Sequence, residues 1–149
     1  VKMKNKFIQT MLIILLLSAG TDLMAQQGLQ IASVFQKYGK QRGVTMVELS
    51  NELFDAYEMK LYKSIVFKDV ESALPDILSS LEKDKKQAKK VKKVVVGGKI
   101  QSGYYQLQQL KEHINRFILF RVGKKGSASL IYLEGELDAD DLVTLLLMK

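Results

Sequence analysis

Apolar residues along this chain follow different spacings, and each spacing predicts a different kind of element. Residues 11–17 are apolar without interruption. Between 27 and 38 the apolar positions Ile31, Val34, Phe35 and Tyr38 recur every three or four residues, which places them on one side of a helix. Gly39 and Gly43 bracket a basic turn, Lys40-Gln41-Arg42, that suits a helix end. Residues 44–49 are β-branched and apolar and read as a strand or an extended connection. Ser50 can then cap a short helix whose buried side is Leu53, Phe54 and Tyr57. In residues 59–69, Leu61, Lys63 and Ile65 alternate with Tyr62, Ser64 and Val66, as expected of a strand with two distinct faces. A helix opening at Asp69 or Ser72 is predicted to run to about Lys90. Pro75 falls in its first turn, where a missing N–H costs least, and Leu74, Ile77, Leu78 and Leu81 form its apolar stripe.

From Val91 the period changes. Val94-Val95-Val96, Gly97-Gly98 and Lys99-Ile100 read as a strand and a tight turn, because paired glycines supply the positive φ that hairpins need. Residues 103–109 continue as a strand. Residues 116–122 are the most apolar strand, with Phe117, Ile118, Leu119, Phe120 and Val122, and should be central and covered on both faces. Gly123-Lys124-Lys125-Gly126 forms a hairpin loop and residues 128–134 the partner strand. Asp138 then caps a final helix, with Asp141 three residues on and Leu142, Val143, Leu145 and Leu146 as its apolar body. The expected fold is α+β, an antiparallel meander of about four strands with helices packed on one face and a C-terminal helix.

The first apolar run changes the setting of everything after it. Lys2, Lys4 and Lys6 precede it, Ser18-Ala19-Gly20 loosen it, and Leu23-Met24-Ala25 place a small residue before Gln26. Basic, apolar and small-residue regions in that order make a signal peptide over residues 1–25, helical in its apolar part. The clean run is well short of the roughly 18 apolar residues that read as a membrane span. Residues 26–149 then form one domain, periplasmic or secreted, with no transmembrane span once the signal is removed. The chain has no cysteine. Disulfides, a thiolate nucleophile, a thiolate metal site and a lipoprotein anchor are thereby excluded. The net charge of +7 includes +2 from the leader; the mildly basic remainder does not by itself imply nucleic acid, and export argues against it as a partner.

Candidate chemistry is sparse. Lys83, Lys85, Lys86, Lys89, Lys90, Lys92 and Lys93 crowd a short stretch and could attract an acidic protein or an anionic envelope surface. They could equally solvate a helix end and guard a strand edge. Tyr104 and Tyr105 face opposite ways on a strand, so one could stack on a ligand while the other is core. His113, the single histidine, adjoins Glu112 and could act with it as an acid and base. A hydrolase would need a cleft around His113, or a carboxylate pair such as Glu112 with Glu134 or Glu136. Asp138, Asp140 and Asp141 could approach a cation, but helix capping accounts for them and their spacing lacks a calcium loop's glycine and terminal glutamate. Phosphate-loop and dinucleotide glycine patterns are absent. No catalytic, metal or cofactor site is expected.

Three stretches carry a resemblance. They are Leu23-Met24-Ala25-Gln26, Asn115-Arg116-Phe117-Ile118-Leu119-Phe120, and Leu130-Ile131-Tyr132-Leu133-Glu134-Gly135. Together they resemble small exported Bacteroidetes proteins of a domain-of-unknown-function family, best over residues 97–147. The resemblance implies export, a Gram-negative host, and an apolar strand, hairpin and Gly-ended strand before a terminal helix. Such families have no assigned activity, so no site residue carries over. The expected function is a non-enzymatic binding module of the cell envelope, taking an envelope protein or an anionic surface. An envelope hydrolase or a small-ligand carrier is the alternative. Expressed with its leader in a Gram-negative host, the protein should be recovered with Gln26 at its N-terminus, as N-terminal sequencing would read. Recovery of an intact leader in the cytoplasmic fraction would contradict export.

Overall fold

The computed structural model describes residues 28–50 and 59–147, with side chains through Val143. The signal peptide and the short helix expected after Ser50 lie outside the described residues. Helix α1 (Ile31–Tyr38) leads into strands β1 (Val44–Ser50) and β2 (Met59–Phe67). Helix α2 (Leu74–Asp84) and a 3-10 turn (Lys85–Gln87) precede β3 (Ala88–Val96), β4 (Lys99–Lys111) and β5 (Ile114–Val122). A second 3-10 turn (Lys124–Gly126), β6 (Ala128–Gly135) and helix α3 (Ala139–Leu147) follow.

The strands form one six-stranded sheet in the order β1-β2-β6-β5-β4-β3, and every neighbouring pair is antiparallel. The α+β class and the antiparallel sheet match expectation; the count of about four strands does not. β3 to β6 make the expected meander. The β1–β2 hairpin then joins the free edge of β6 and widens the sheet. β5 lies next to β6 at its centre, as its continuous apolarity implies.

Successive side chains on each strand divide between two cores. On one face Ile65, Tyr105, Ile118, Phe120, Leu130 and Tyr132 pack against Val34 and Phe35 of α1 and Ile77 and Leu81 of α2. On the other, Phe117 and Leu133 pack against Leu137 and Leu142 at the start of α3. The helices therefore do not all share one face. Phe117 and Ile118, adjacent in sequence, are both fully buried, one on each side. Asp138 and Asp141 make the reciprocal cap that opens α3. The Asp141 N–H donates to Asp138 Oδ1 at 2.8 Å, and the Asp138 N–H donates to Asp141 Oδ2 at 3.2 Å.

Helix α2 is shorter than its sequence suggests. It begins after Ala73, which makes no side-chain cap; Asp69 Oδ1 instead accepts the Glu71 N–H at 3.0 Å, and Pro75 lies in the first turn as expected. It ends at Asp84, so residues 88–90, expected to be helical, open β3. Beyond Leu81 the sequence offers no further apolar stripe to bury, and Val91 and Lys93 follow strand alternation against Tyr105 and Gly103.

Asp84 is the reason the two helices meet where they do. It is fully buried, and its Oδ1 and Oδ2 accept the backbone N–H groups of Gln30 and Ile31 at 2.6 and 3.0 Å. Gln30, at the N-cap of α1, supplies no side-chain cap of its own. A carboxylate at the end of α2 thus satisfies the unpaired donors at the start of α1. The far end of the helix pair is closed by Asp76, which accepts from Lys37 Nζ at 2.9 Å and from the Tyr38 hydroxyl. Replacing Asp84 by Ala leaves two N–H groups without partners and should lower unfolding free energy by about 2 kcal/mol. Urea denaturation monitored by circular dichroism measures this, and a change below about 0.5 kcal/mol would mean that water replaces the cap fully.

Candidate functional site

The seven lysines, of which those up to Lys90 were expected on a helix end and Lys92 and Lys93 at a strand edge, are distributed over three elements. Lys83 lies on α2, Lys85 and Lys86 in the 3-10 turn, and Lys89, Lys90, Lys92 and Lys93 on edge strand β3. Strand alternation separates the last four. Lys90 and Lys92 pair with Gln106 and Tyr104, whereas Lys93 sits opposite Gly103 on the face that carries α2. Lys85 and Lys93 approach the Glu82 carboxylate at 3.7 and 3.6 Å. These pairs are largely solvated and contribute little to stability. The helix expected to reach Lys90 thus ends earlier, and Lys89 and Lys90 lie on a strand, because a run of lysines has no apolar period to report strand or helix.

Tyr104 and Tyr105 do face opposite ways. Tyr105 is buried under the helices, and its ring lies so close over Gly103 that a Cβ there would come within 2.8 Å of it. Tyr104 is half-buried on the other face, where its ring leans on Phe117 with centroids 6.1 Å apart. Beyond the reach of Leu142, this second face carries two rows that cross the whole sheet. One runs Thr45, Val66, Ser129, Arg121, Ser102, Val94; the next runs Val47, Ser64, Ile131, Leu119, Tyr104, Lys92. The small Ser129 and Ser102 of the first row line a groove of about 530 Å³ over β6 to β3. Its floor is Leu119, Ile131 and Tyr104, its wall is Val94, and Lys92 and Arg121 stand along it. Both cations are exposed, and among the described residues neither makes an ion pair. Arg121 was not singled out by sequence. The available signal was a charged residue breaking the apolar run of β5.

Of the acid and base candidates, only Glu134 lies apart from the others. His113 holds the β4–β5 turn with φ 65°, and its Nε2 lies 3.5 Å from Glu112 Oε1 with both side chains over four-fifths exposed. His113 and Glu136 share a shallow cleft with Gln109 and Asn115. Glu134 is instead buried on the helix-bearing face, opposite Arg116 of β5. Arg116 is itself only 2% exposed; its Nε donates to the Gln108 carbonyl at 2.9 Å, and Nη1 has no hydrogen-bond partner among the described residues. Asp84 and Tyr132 complete this buried group. Burial raises the Glu134 and Asp84 carboxyls above their usual values, and the nearby guanidinium opposes that rise in both. Burial likewise pushes the Tyr132 hydroxyl up. Asp138, Asp140 and Asp141 lie at the α3 cap, and among the described residues no cluster of carboxylates or histidine forms a metal-binding arrangement.

A family model described as a family of unknown function (DUF6108) matches residues 18–146, and the chain belongs to that family. No curated protein matches the chain. Among solved structures, a Pseudomonas aeruginosa protein of unknown function is similar at 13% identity and a TM-score of 0.33, covering 70% of this chain and 75% of its own.

The buried carboxyls give the protein a defined pH response. With pKa values above those of the unfolded chain, they hold protons in the folded state that the unfolded state has released. Stability from these groups therefore falls as pH rises from about 4 through the folded values, and levels off above them. In Glu134→Gln the part due to Glu134 disappears. Thermal unfolding between pH 4 and 7 should show the variant gaining on the wild type as pH rises. A difference that stays constant with pH would remove Glu134 from this account.

Proposed function

Starting from membership of a family without an assigned activity, we propose that the protein is an exported, non-catalytic binding module of a Gram-negative cell envelope. Its open sheet face takes an extended, acidic and apolar segment of a partner protein. The observation that carries this reading is the pair of cross-strand rows. They combine an apolar floor, a half-buried tyrosine and two exposed cations that have no carboxylate of their own. Apolar side chains of the segment would fill the groove against Leu119, Ile131 and Tyr104, and its carboxylates would meet Lys92 and Arg121. Tyrosine and arginine are the residue types that most often dominate such contacts, and unpaired cations raise the encounter rate with an acidic partner.

The leader over residues 1–25 and the absence of cysteine support export without a lipid anchor. The burial of Glu134 on the helix-bearing face takes it out of any pairing with the exposed Glu112 and His113, which supports a non-catalytic role, since acid–base chemistry needs its groups within reach of one substrate. Selection from a display library of random extended peptides tests the proposal. Peptides that alternate acidic with apolar residues should be enriched. Tyr104→Ala and Arg121→Glu should each weaken their binding by about tenfold or more. The proposal fails if enrichment shows no acidic bias, or if the selected peptides bind both variants as tightly as the wild type.

A further inference from the structure

The strongest unassigned feature lies at the end of the sheet where β2 finishes and β6 begins. Two turns meet there: residues 39–43 between α1 and β1, and residues 123–127 between β5 and β6. Between them is a cleft of about 810 Å³ whose charged lining is Arg42, Lys68, Lys124, Lys125 and Asp69. Four cations thus face one carboxylate. Among the described residues none of the four makes an ion pair, and all four are exposed. Asp69 offsets only part of their charge, and none of the four is held in an ion pair as Lys37 is by Asp76.

The backbone that presents these side chains is fixed. The Lys68 N–H donates to the Gly43 carbonyl at 2.9 Å and the Val70 N–H to the Gly126 carbonyl at 2.8 Å, so each turn is bonded to the chain leaving β2. The second turn is closed by the Gly123 N–H on the Ser127 carbonyl and by Ser127 Oγ on the Lys124 carbonyl, each at 2.8 Å. Inside it Lys125 adopts φ 58° and ψ 35°, a left-handed conformation that costs a non-glycine residue about 1–2 kcal/mol. Glycine or asparagine would sit there with less strain. The turn thus keeps a lysine over the cleft at some cost to stability, as happens where a side chain serves a ligand.

We propose that this cleft binds a ligand carrying several phosphate groups. Arg42 supplies a planar donor fork suited to phosphate oxygens, and the three lysines supply mobile point charges around it. A cleft of this volume accommodates more than a single phosphate. The site is separate from the Tyr104 groove and does not rest on the function proposed above.

Tripolyphosphate titrated into the mature protein by calorimetry at low salt tests the site. The triple variant Arg42→Gln, Lys68→Gln, Lys125→Asn should weaken binding by about tenfold or more; asparagine is chosen because it tolerates the left-handed turn. A second variant, Lys86→Gln, Lys89→Gln, Lys90→Gln, removes the same charge elsewhere and should weaken binding less than about threefold. Vesicle flotation separates the sources of phosphate. Capture by cardiolipin vesicles, whose headgroup carries two phosphates, but not by phosphatidylcholine vesicles, lost in the first variant, identifies a lipid headgroup; tripolyphosphate binding without capture identifies a soluble ligand. Amide shifts in the wild-type nuclear magnetic resonance spectrum should centre on Gly43, Lys68 and Gly126, a readout independent of variant folding. The proposal is overturned by absence of binding, by equal loss in both triple variants, by shifts centred elsewhere, or by equally tight binding of a polyglutamate of matched charge.

Discussion

A buried guanidinium organises this fold. Arg116 sits in a central strand, almost wholly removed from water, and its charge must be offset within the protein. Glu134 supplies one carboxyl from the neighbouring strand and Asp84 a second from the end of α2. Asp84 cannot move without releasing the two N–H groups it accepts from α1. The end of one helix and the start of another are therefore tied through Asp84, beneath which the charges of Arg116 and Glu134 lie on the sheet. An apolar substitute for Arg116 would leave the carboxyls to settle their charge by protonation. Arg116 and Glu134 are cross-strand partners, so their opposite charges favour this register of β5 on β6 alongside the apolar packing.

The same constraint explains why the local pattern misleads where it does. Apolar spacing correctly identified α1, the core face of α2, the two-sided burial of β5 and the cap of α3, since each depends on residues close in sequence. The length of α2 depends on Asp84, whose partners Gln30 and Ile31 lie more than fifty residues away. The lysines after it gave no periodicity, so only the pairing of Val91 with Tyr105 and Lys92 with Tyr104 fixes them as a strand. The strand count was too low for a related reason. β1 is short, mostly exposed and at an edge, and its membership of the sheet rests on pairing with β2. Tyr104 could be singled out because alternation forces one of two adjacent tyrosines outward. Arg121 and the basic cleft could not, because their neighbours come from separate turns and strands that only the sheet register brings together.

Charge is distributed unevenly along the strand direction, and this bears on how the molecule meets a partner. Glu112, Glu134, Glu136, Asp138, Asp140 and Asp141 lie at the end of the sheet where β4 turns into β5 and β6 into α3. Arg42, Lys68, Lys124 and Lys125 lie at the opposite end, with Arg121 one residue inside it. The acidic end carries α3, and the start of that helix covers the adjoining half of the second sheet face. The basic end leaves its half of that face open. The open apolar floor and the positive field thus coincide. An anionic partner approaching from solution is drawn first to the end of the molecule that has surface to offer, and turned away from the end where helix and carboxylates already occupy the sheet. Edge lysines on β3 carry this field along the rim and oppose pairing of that strand with a second sheet. The proposed binding face and the guarded sheet edge draw on one distribution of charge, which the bare value of the net charge does not reveal.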